Sequence, residues 1–318
     1  MVSKVFDISG KRIWVAGHRG MVGAAVVRRL ASEPCEILTV GREEVDLTRQ
    51  AEVERWLAGA RPDAVVMAAA KVGGIHANST LPGDFLFINL MIGANVVNAA
   101  HQAGVKRLVN LGSSCMYPVG APQPIAEDSI GDGRPEPTNE AYAVAKLATA
   151  SLAGSYRRQF EDDFVTAIPT NLYGPGDNFD PLTSHVAPAL MRRMIEARDA
   201  RAPRVEIWGS GRPRRELMFV DDAADAIVFV LERYSAPEPI NIGIGVDVPI
   251  RELAELIAGI VGYNGELVFD SSKPDGAPRR LLDSGRLAAL GWKARTSLAD
   301  GLDAMYRWYR KHKVDVAA

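Results

Sequence analysis

Cysteine is nearly absent: Cys35 and Cys115 are the only two in 318 residues. A secreted scaffold stapled by disulfides is therefore excluded. Neither thiol has a second Cys or a His at ligand spacing, so no metal site is expected. Long apolar runs are missing too. The longest, Ala64–Ala70, is far short of the roughly 20 residues that a membrane-spanning helix needs. The opening MVSKVFDISGKRIWVAG lacks the continuous apolar segment of a signal peptide. Charge of one sign is not in excess either: 37 Lys and Arg stand against 39 Asp and Glu, a net −2. Nucleic acid and anionic membranes thus find no electrostatic footprint. Repeats, low-complexity tracts and long charge runs do not occur. What remains is an ordinary soluble composition, 47% hydrophobic and 24% charged, long enough to bury a core without staples. A cytoplasmic protein of one large domain or two smaller ones is expected.

Short, mostly apolar stretches alternate with longer segments of helical periodicity. Strands are predicted at Arg12–Gly17, Glu36–Gly41, Ala64–Ala69, Arg107–Ser114 and Phe164–Asn171. Helices are predicted at Met21–Ser32, Gln50–Ala60, Asp84–Ala103 and Asn139–Phe160. Near-continuous apolar strands indicate a sheet covered on both faces, and the βαβ order makes it parallel and doubly wound. After Tyr173 the pattern loosens. Gly174-Pro175-Gly176-Asp177-Asn178 is turn chemistry, a helix is expected at Val186–Ala197, and a strand at Ile240–Gly245 precedes a helix from Ile250. The expected fold class is α/β: a Rossmann-type domain over 1–173 with a return segment at about 216–245. A smaller α/β substrate domain takes 174–215 and 246–318.

The first strand runs into Gly17-His18-Arg19-Gly20-Met21-Val22-Gly23 and directly into a helix. Glycines in that place allow a tight turn, close backbone approach to a pyrophosphate and close helix–strand packing. The second strand ends in Gly41-Arg42, where NAD sites carry Asp or Glu for the ribose hydroxyls. Arg42 and Arg19 are suited to bracket a 2′-phosphate, which favours NADP(H), although Glu43 and Glu44 stand close by.

Tyr142 and Lys146 lie four residues apart on one helix face, so the ammonium is expected to lower the tyrosine pKa toward working pH. Alone the spacing is a plain surface pair. The fourth strand, however, ends in Leu111-Gly112-Ser113-Ser114-Cys115-Met116-Tyr117, and a hydroxyl at the C-terminal end of such a strand faces the ligand crevice. Glycine turn, serine and tyrosine–lysine pair together resemble the extended short-chain dehydrogenase/reductase family along most of the chain.

AAAKVGGI (Ala68–Ile75), LGSSCMYP (Leu111–Pro118), EPTNEAYAVAK (Glu136–Lys146), PTNLYGPGDNF (Pro169–Phe179), SHVAPALMRR (Ser184–Arg193) and WGSGRPRREL (Trp208–Leu217) narrow the likeness. They resemble the branch of that family that epimerises GDP-4-keto-6-deoxy-D-mannose at carbons 3 and 5 and reduces its carbon 4 ketone with NADPH. The resemblance implies a reductase triad of Ser113, Tyr142 and Lys146, with Cys115 and His185 as the acid/base pair of epimerisation. It places the cofactor on Gly17, Arg19, Gly20, Met21, Val22, Gly23, Arg42, Leu111, Gly112, Lys146, Pro169, Asn171, Leu172 and His185. Substrate contacts fall to Arg193, Trp208, Arg215 and Asp275, and a homodimer forms through the helices around Asp84–Ala103 and Asn139–Phe160. Arg212 and Arg214 match no role.

Carbon-bound protons beside a ketone are acidic, and inverting such a centre needs a base on one face and an acid on the other; a thiol and an imidazole suit neutral pH. Blander readings stand beside these: Cys115 as a small buried hydrophobe, Trp208 as core packing, His185 as a mere helix start. Within the family, a 4-epimerase or 4,6-dehydratase is the rival, but a dehydratase is expected to carry an acidic residue beside its serine, where Ser114 and Cys115 stand. A non-catalytic NADP sensor has no reason to combine Ser113, Tyr142 and Lys146.

Overall fold

The computed structural model describes residues 3–316, apart from 182 and 274. The ends of the two expected domain spans, 1–2 and 317–318, lie outside the described residues. The strands are β1 (Arg12–Ala16), β2 (Glu36–Leu38), β3 (Ala64–Met67), β4 (Arg107–Leu111), β5 (Asp163–Pro169), β6 (Asn171–Tyr173), β7 (Arg204–Trp208), β8 (Arg214–Arg215), β9 (Leu217–Phe219), β10 (Ile240–Ile242), β11 (Val248–Pro249), β12 (Glu266–Asp270) and β13 (Arg279–Arg280). The helices are α1 (Met21–Leu30), α2 (Gln50–Ala60), α3 (Ile75–Thr80), α4 (Pro82–Gln102), α5 (Glu140–Phe160), α6 (Val186–Asp199), α7 (Val220–Arg233), α8 (Ile250–Val261), α9 (Gly285–Ala289) and α10 (Leu298–Val316).

The large sheet has six parallel strands in the order β2-β1-β3-β4-β5-β10. Side chains alternate across it, as the pleat requires. Ile13 and Val15 enter one core with Ala25 and Val26 of α1 and Ala223, Ile227 and Val230 of α7. Trp14 and Ala16 enter the opposite core with Val53, Leu57, Val96 and Ala153 from α2, α4 and α5. Both faces are covered, which is why the strand sequences read as nearly continuous apolar runs. A third core, built from α6, α8, α10, β7 and β9, gathers Met191, Met194, Ile207, Leu253, Ile257, Leu302 and Met305. By length and composition α4 passes for a membrane span, but Asn95 donates to Leu47 O at 2.9 Å and Asn98 accepts from the Tyr156 hydroxyl at 2.8 Å. Its Gly93 lets α5 approach so closely that a Cβ there would lie 2.9 Å from Thr149 Cβ. It is a core helix of the sandwich.

Of the sequence boundaries that move, three bear on the site. The second strand ends at Leu38 rather than Gly41, because Gly41–Glu44 turns toward the glycine loop. The fourth ends at Leu111, since a 3-10 turn at Ser114–Met116 peels the chain off the sheet. The fifth breaks at Thr170, and Asn171–Tyr173 pairs with β9 instead. Helix α3 carried no periodicity strong enough to be anticipated.

Candidate active site

The strand order reverses between β1 and β3, and their C-terminal ends open the crevice where such sheets bind ligands. Gly17 sits there with φ +86°, and any Cβ on it would fall 2.6 Å from Ala69 Cα. Gly23, in the first turn of α1, packs so tightly that a Cβ would lie 2.7 Å from the Gly17 carbonyl carbon. Gly20 precedes α1 and gives it no side-chain cap, leaving the helix N–H groups for an anion. Met21 and Val22 are half-buried beneath, and the Gly174–Asn178 turn closes over Met21. These residues fit a dinucleotide pyrophosphate.

The phosphate bracket differs from expectation. Arg19 is engaged by Glu43 (Nη1 to Oε2, 2.8 Å), whose carboxylate lies against Gly41, and Arg42 lies 3.6 Å from Asp46. The Arg19 hydrogen bond holds the Glu43 carboxyl below its ordinary range. Both guanidiniums flank the end of β2, but each already has an acidic partner; Glu43, which the sequence placed only nearby, is the counter-ion.

At the end of β4, Leu111 O accepts a 2.8 Å hydrogen bond from Lys146 Nζ, and Gly112 leaves room for Met116 Sδ. Ser113 starts the 3-10 turn, its Oγ accepting from the Cys115 amide at 3.3 Å. Lys146 Nζ lies 5.9 Å from the Tyr142 ring centroid, and Phe85 meets that ring edge-on at 6.5 Å. Ser113, Cys115, Tyr142 and Lys146 thus form one group. The tyrosine pKa, however, is not lowered. Burial and then the neighbouring Cys115 push it up strongly, against the pull of a Ser113 hydrogen bond. Desolvation is the largest cause of that rise, and burial also drives the Lys146 ammonium down to about 8. Tyr142 is therefore a neutral proton donor.

His185 stands at the N-cap position of α6 without a side-chain capping bond; it is exposed, and desolvation by the surrounding chain lowers its pKa. Its segment is tied to the loop before α3 by Gly74 N donating to Thr183 O at 2.7 Å. Among the described residues no hydrogen bond joins it to Cys115, and the expectation, two groups acting on opposite faces of a sugar, requires none. Pro169 ends β5, Asn171 Nδ2 donates to Glu216 O at 3.1 Å, and Leu172 is half-buried beside it.

Arg193 and Trp208 line a common cleft with Arg204 and Glu206; Trp208 is 65% exposed, which removes the core-packing reading. Lys273 Nζ stands 5.6 Å over its ring. Arg215 is held by Ala277 O at 2.6 Å, and burial and then Arg280 lower its pKa. Asp275 accepts from Ser210 N and Oγ at 2.8 and 2.7 Å, fixing the loop after Trp208. Arg214 is structural, donating to Asp247 at 2.7 Å; Arg212 stays exposed. A wider hollow beyond β10, bordered by Ser284, Trp292 and Lys293, contains none of these residues.

Two residues had no sequence signal. Arg280 donates to Ser114 O at 3.0 Å, and Asn139 donates Nδ2 to Cys115 Sγ at 3.1 Å. Both contacts are made across the fold by residue types too common to mark a site.

A sequence profile of the NAD dependent epimerase/dehydratase family matches residues 13–243. The chain belongs to that family. Within it, the chain is 51% identical over 311 residues to a GDP-L-fucose synthase of Sinorhizobium fredii, covering 98% of this chain and 99% of the relative. It is 53% identical over 312 residues to GDP-L-fucose synthase 1 of Arabidopsis thaliana, covering 98% and 96%. A solved GDP-L-fucose synthetase of Naegleria fowleri bound to NADP superposes with a TM-score of 0.91 at 25% identity, covering 99% of each chain.

Proposed function

We infer that this chain converts GDP-4-keto-6-deoxy-D-mannose to GDP-L-fucose, by epimerisation at carbons 3 and 5 and reduction at carbon 4. The observation that carries the reading is the placing of a thiol and a reductase serine in one turn: Ser113 Oγ bonds the Cys115 amide, and both sit beside Tyr142. A simple reductase needs the serine, tyrosine and lysine; the thiol adds a group for moving carbon-bound protons.

Gly17, Gly20 and Gly23 at the start of α1 would hold NADP(H), which would supply the hydride when bound. Ser113 and Tyr142 hydrogen-bond the carbon 4 oxygen and stabilise the enolate each time a proton leaves carbon 3 or carbon 5. Cys115 and His185 exchange those protons on opposite faces of the ring. Tyr142, kept neutral by burial, donates its proton to the carbon 4 alkoxide at the reductive step. Lys146, fixed by Leu111 O, stands 5.9 Å from the tyrosine ring centroid and would reach the ribose of a bound nicotinamide cofactor. Arg193, Trp208, Arg215 and Asp275 take the GDP moiety; an exposed indole and a partly desolvated guanidinium suit a base and a diphosphate. The reading includes a cytoplasmic homodimer. Exposed Phe87 and Leu90 on α4 and Val144 on α5 are apolar surface that such a dimer would cover.

Cys115→Ser tests it. The hydroxyl is too weak an acid to exchange carbon-bound protons near neutral pH, while the reductase group is untouched. The variant should consume NADPH slowly and yield a reduced sugar that was never epimerised, with no deuterium entering carbons 3 and 5 in heavy water. Normal label incorporation and the epimerised product at the usual rate would exclude Cys115 from the chemistry.

A further inference from the structure

Cys115 is held at its sulfur as well as at its amide. A 3-10 turn at Pro137–Asn139 leads directly into α5 and packs against α3. Its last residue, Asn139, donates Nδ2 to Cys115 Sγ at 3.1 Å, and no other side chain among the described residues hydrogen-bonds that sulfur. Asn139 Oδ1 is shut off from solvent and has no partner among the described residues. An acceptor buried without a donor is costly, and such a group in a native site needs a reason.

We propose that Asn139 is the positioning residue of epimerisation: its amide N–H holds the Cys115 sulfur as a thiolate, and its Oδ1 accepts a hydroxyl of the bound sugar. This rests on Cys115 being an acid/base of the reaction. When the sulfur takes a proton from the sugar, the C–H pair becomes the enolate double bond, the charge moves to the carbon 4 oxygen, and thiolate becomes thiol. The reverse transfer regenerates the thiolate. In either direction one end of the step is an anionic sulfur, and an N–H donor stabilises that end more than the neutral thiol. The opposite amide orientation would turn Oδ1 to the sulfur, favour the thiol, and strand two N–H donors in place of one acceptor.

The titratable groups around the sulfur do not supply this contact. Tyr142 of α5 has its pKa raised by burial and then by Cys115. Lys146, a turn along, is committed to Leu111 O. Arg280 of β13 bonds Ser114 O, and His185 at the start of α6 makes no hydrogen bond to the thiol. Asn139 is the donor the geometry provides.

The test uses the full chain. Alkylation of Cys115 by iodoacetamide is followed against pH and separated from Cys35 by peptide mass, and deuterium incorporation into GDP-4-keto-6-deoxy-D-mannose is followed with NADP+ bound. Asn139→Ala should raise the pH midpoint of alkylation by about one unit and slow label incorporation at least tenfold, while NADPH binding persists. Asn139→Asp, nearly isosteric, keeps an acceptor for the sugar but sets a carboxylate against the sulfur. It should raise the midpoint further and lower kcat with little change in KM. An alkylation profile of Asn139→Ala that superimposes on the parent overturns the proposal, as does a shifted profile with normal label incorporation. Cys115→Ser separates the two levels. If it too incorporates label normally, the acid/base reading has failed; if it does not while Asn139→Ala does, only the role of Asn139 has.

Discussion

Lys146 is a charged amine in a place that disfavours charge. It is buried, no carboxylate among the described residues pairs with it, and it donates a hydrogen bond to Leu111 O at 2.8 Å. Burial lowers its pKa from 10.5 to about 8. The unfolded chain keeps that proton until about 10.5, whereas the folded chain releases it near 8. Between those values the unfolded state binds more protons, so raising the pH stabilises the fold. Below 8 both states are protonated and the full penalty is present. Replacing Lys146 by Met keeps the length and removes the titration. From about pH 7 to about pH 9.5 the parent should gain about 2 kcal/mol relative to Lys146→Met, at about 1.4 kcal/mol per pKa unit. The lost bond to Leu111 O adds an offset of about 1 kcal/mol that does not vary with pH. Urea unfolding of both proteins without cofactor, at several pH values in that range, measures the difference. Parallel stability curves over that range would refute the argument and would mean that the folded chain holds Lys146 charged.

Glu43→Gln removes the carboxylate that competes for Arg19, so NADPH should bind several-fold more tightly by fluorescence titration while NADH gains little; equal affinity for NADPH before and after would show that Glu43 does not obstruct the phosphate. Tyr142→Phe deletes the proton donor without changing shape, and single-turnover hydride transfer should fall by about 10²–10⁴-fold with NADPH binding intact; near-parental transfer would contradict the triad. Arg107, 0% exposed, donates to Val230 O and Leu231 O at 3.0 Å and pairs with Asp163. Arg107→Met leaves the carbonyls at the end of α7 without their buried donor, while Asp163 keeps Arg157 and Ser235, and should cost about 3 kcal/mol in denaturant unfolding; a loss under about 1 kcal/mol would mean that water replaces the guanidinium.

What the sequence determined by itself is whatever depends on local chemistry and on the order of elements. Strands apolar on both faces dictated a sheet covered by helices on both sides. Gly17, Gly20 and Gly23 marked the helix start at the crevice, since only glycine tolerates the positive φ at Gly17 and the close packing at Gly23. Tyr142, four residues before Lys146, and the serine at the end of β4 were legible for the same reason: each lies at a fixed offset within one element. The tertiary structure decided what depends on separation in the chain. Glu43 reaches Arg19 across 24 residues, Asn139 reaches Cys115 across 24, and Arg280 reaches Ser114 across 166. It also reversed the sign expected for Tyr142, because the desolvation that raises its pKa comes from the packing around it, whereas the spacing to Lys146 reports only how near the charge is. Spacing along a helix fixes which groups are neighbours; burial fixes which of their charge states is stable, and burial exists only once the sheet and its helices have closed around the site.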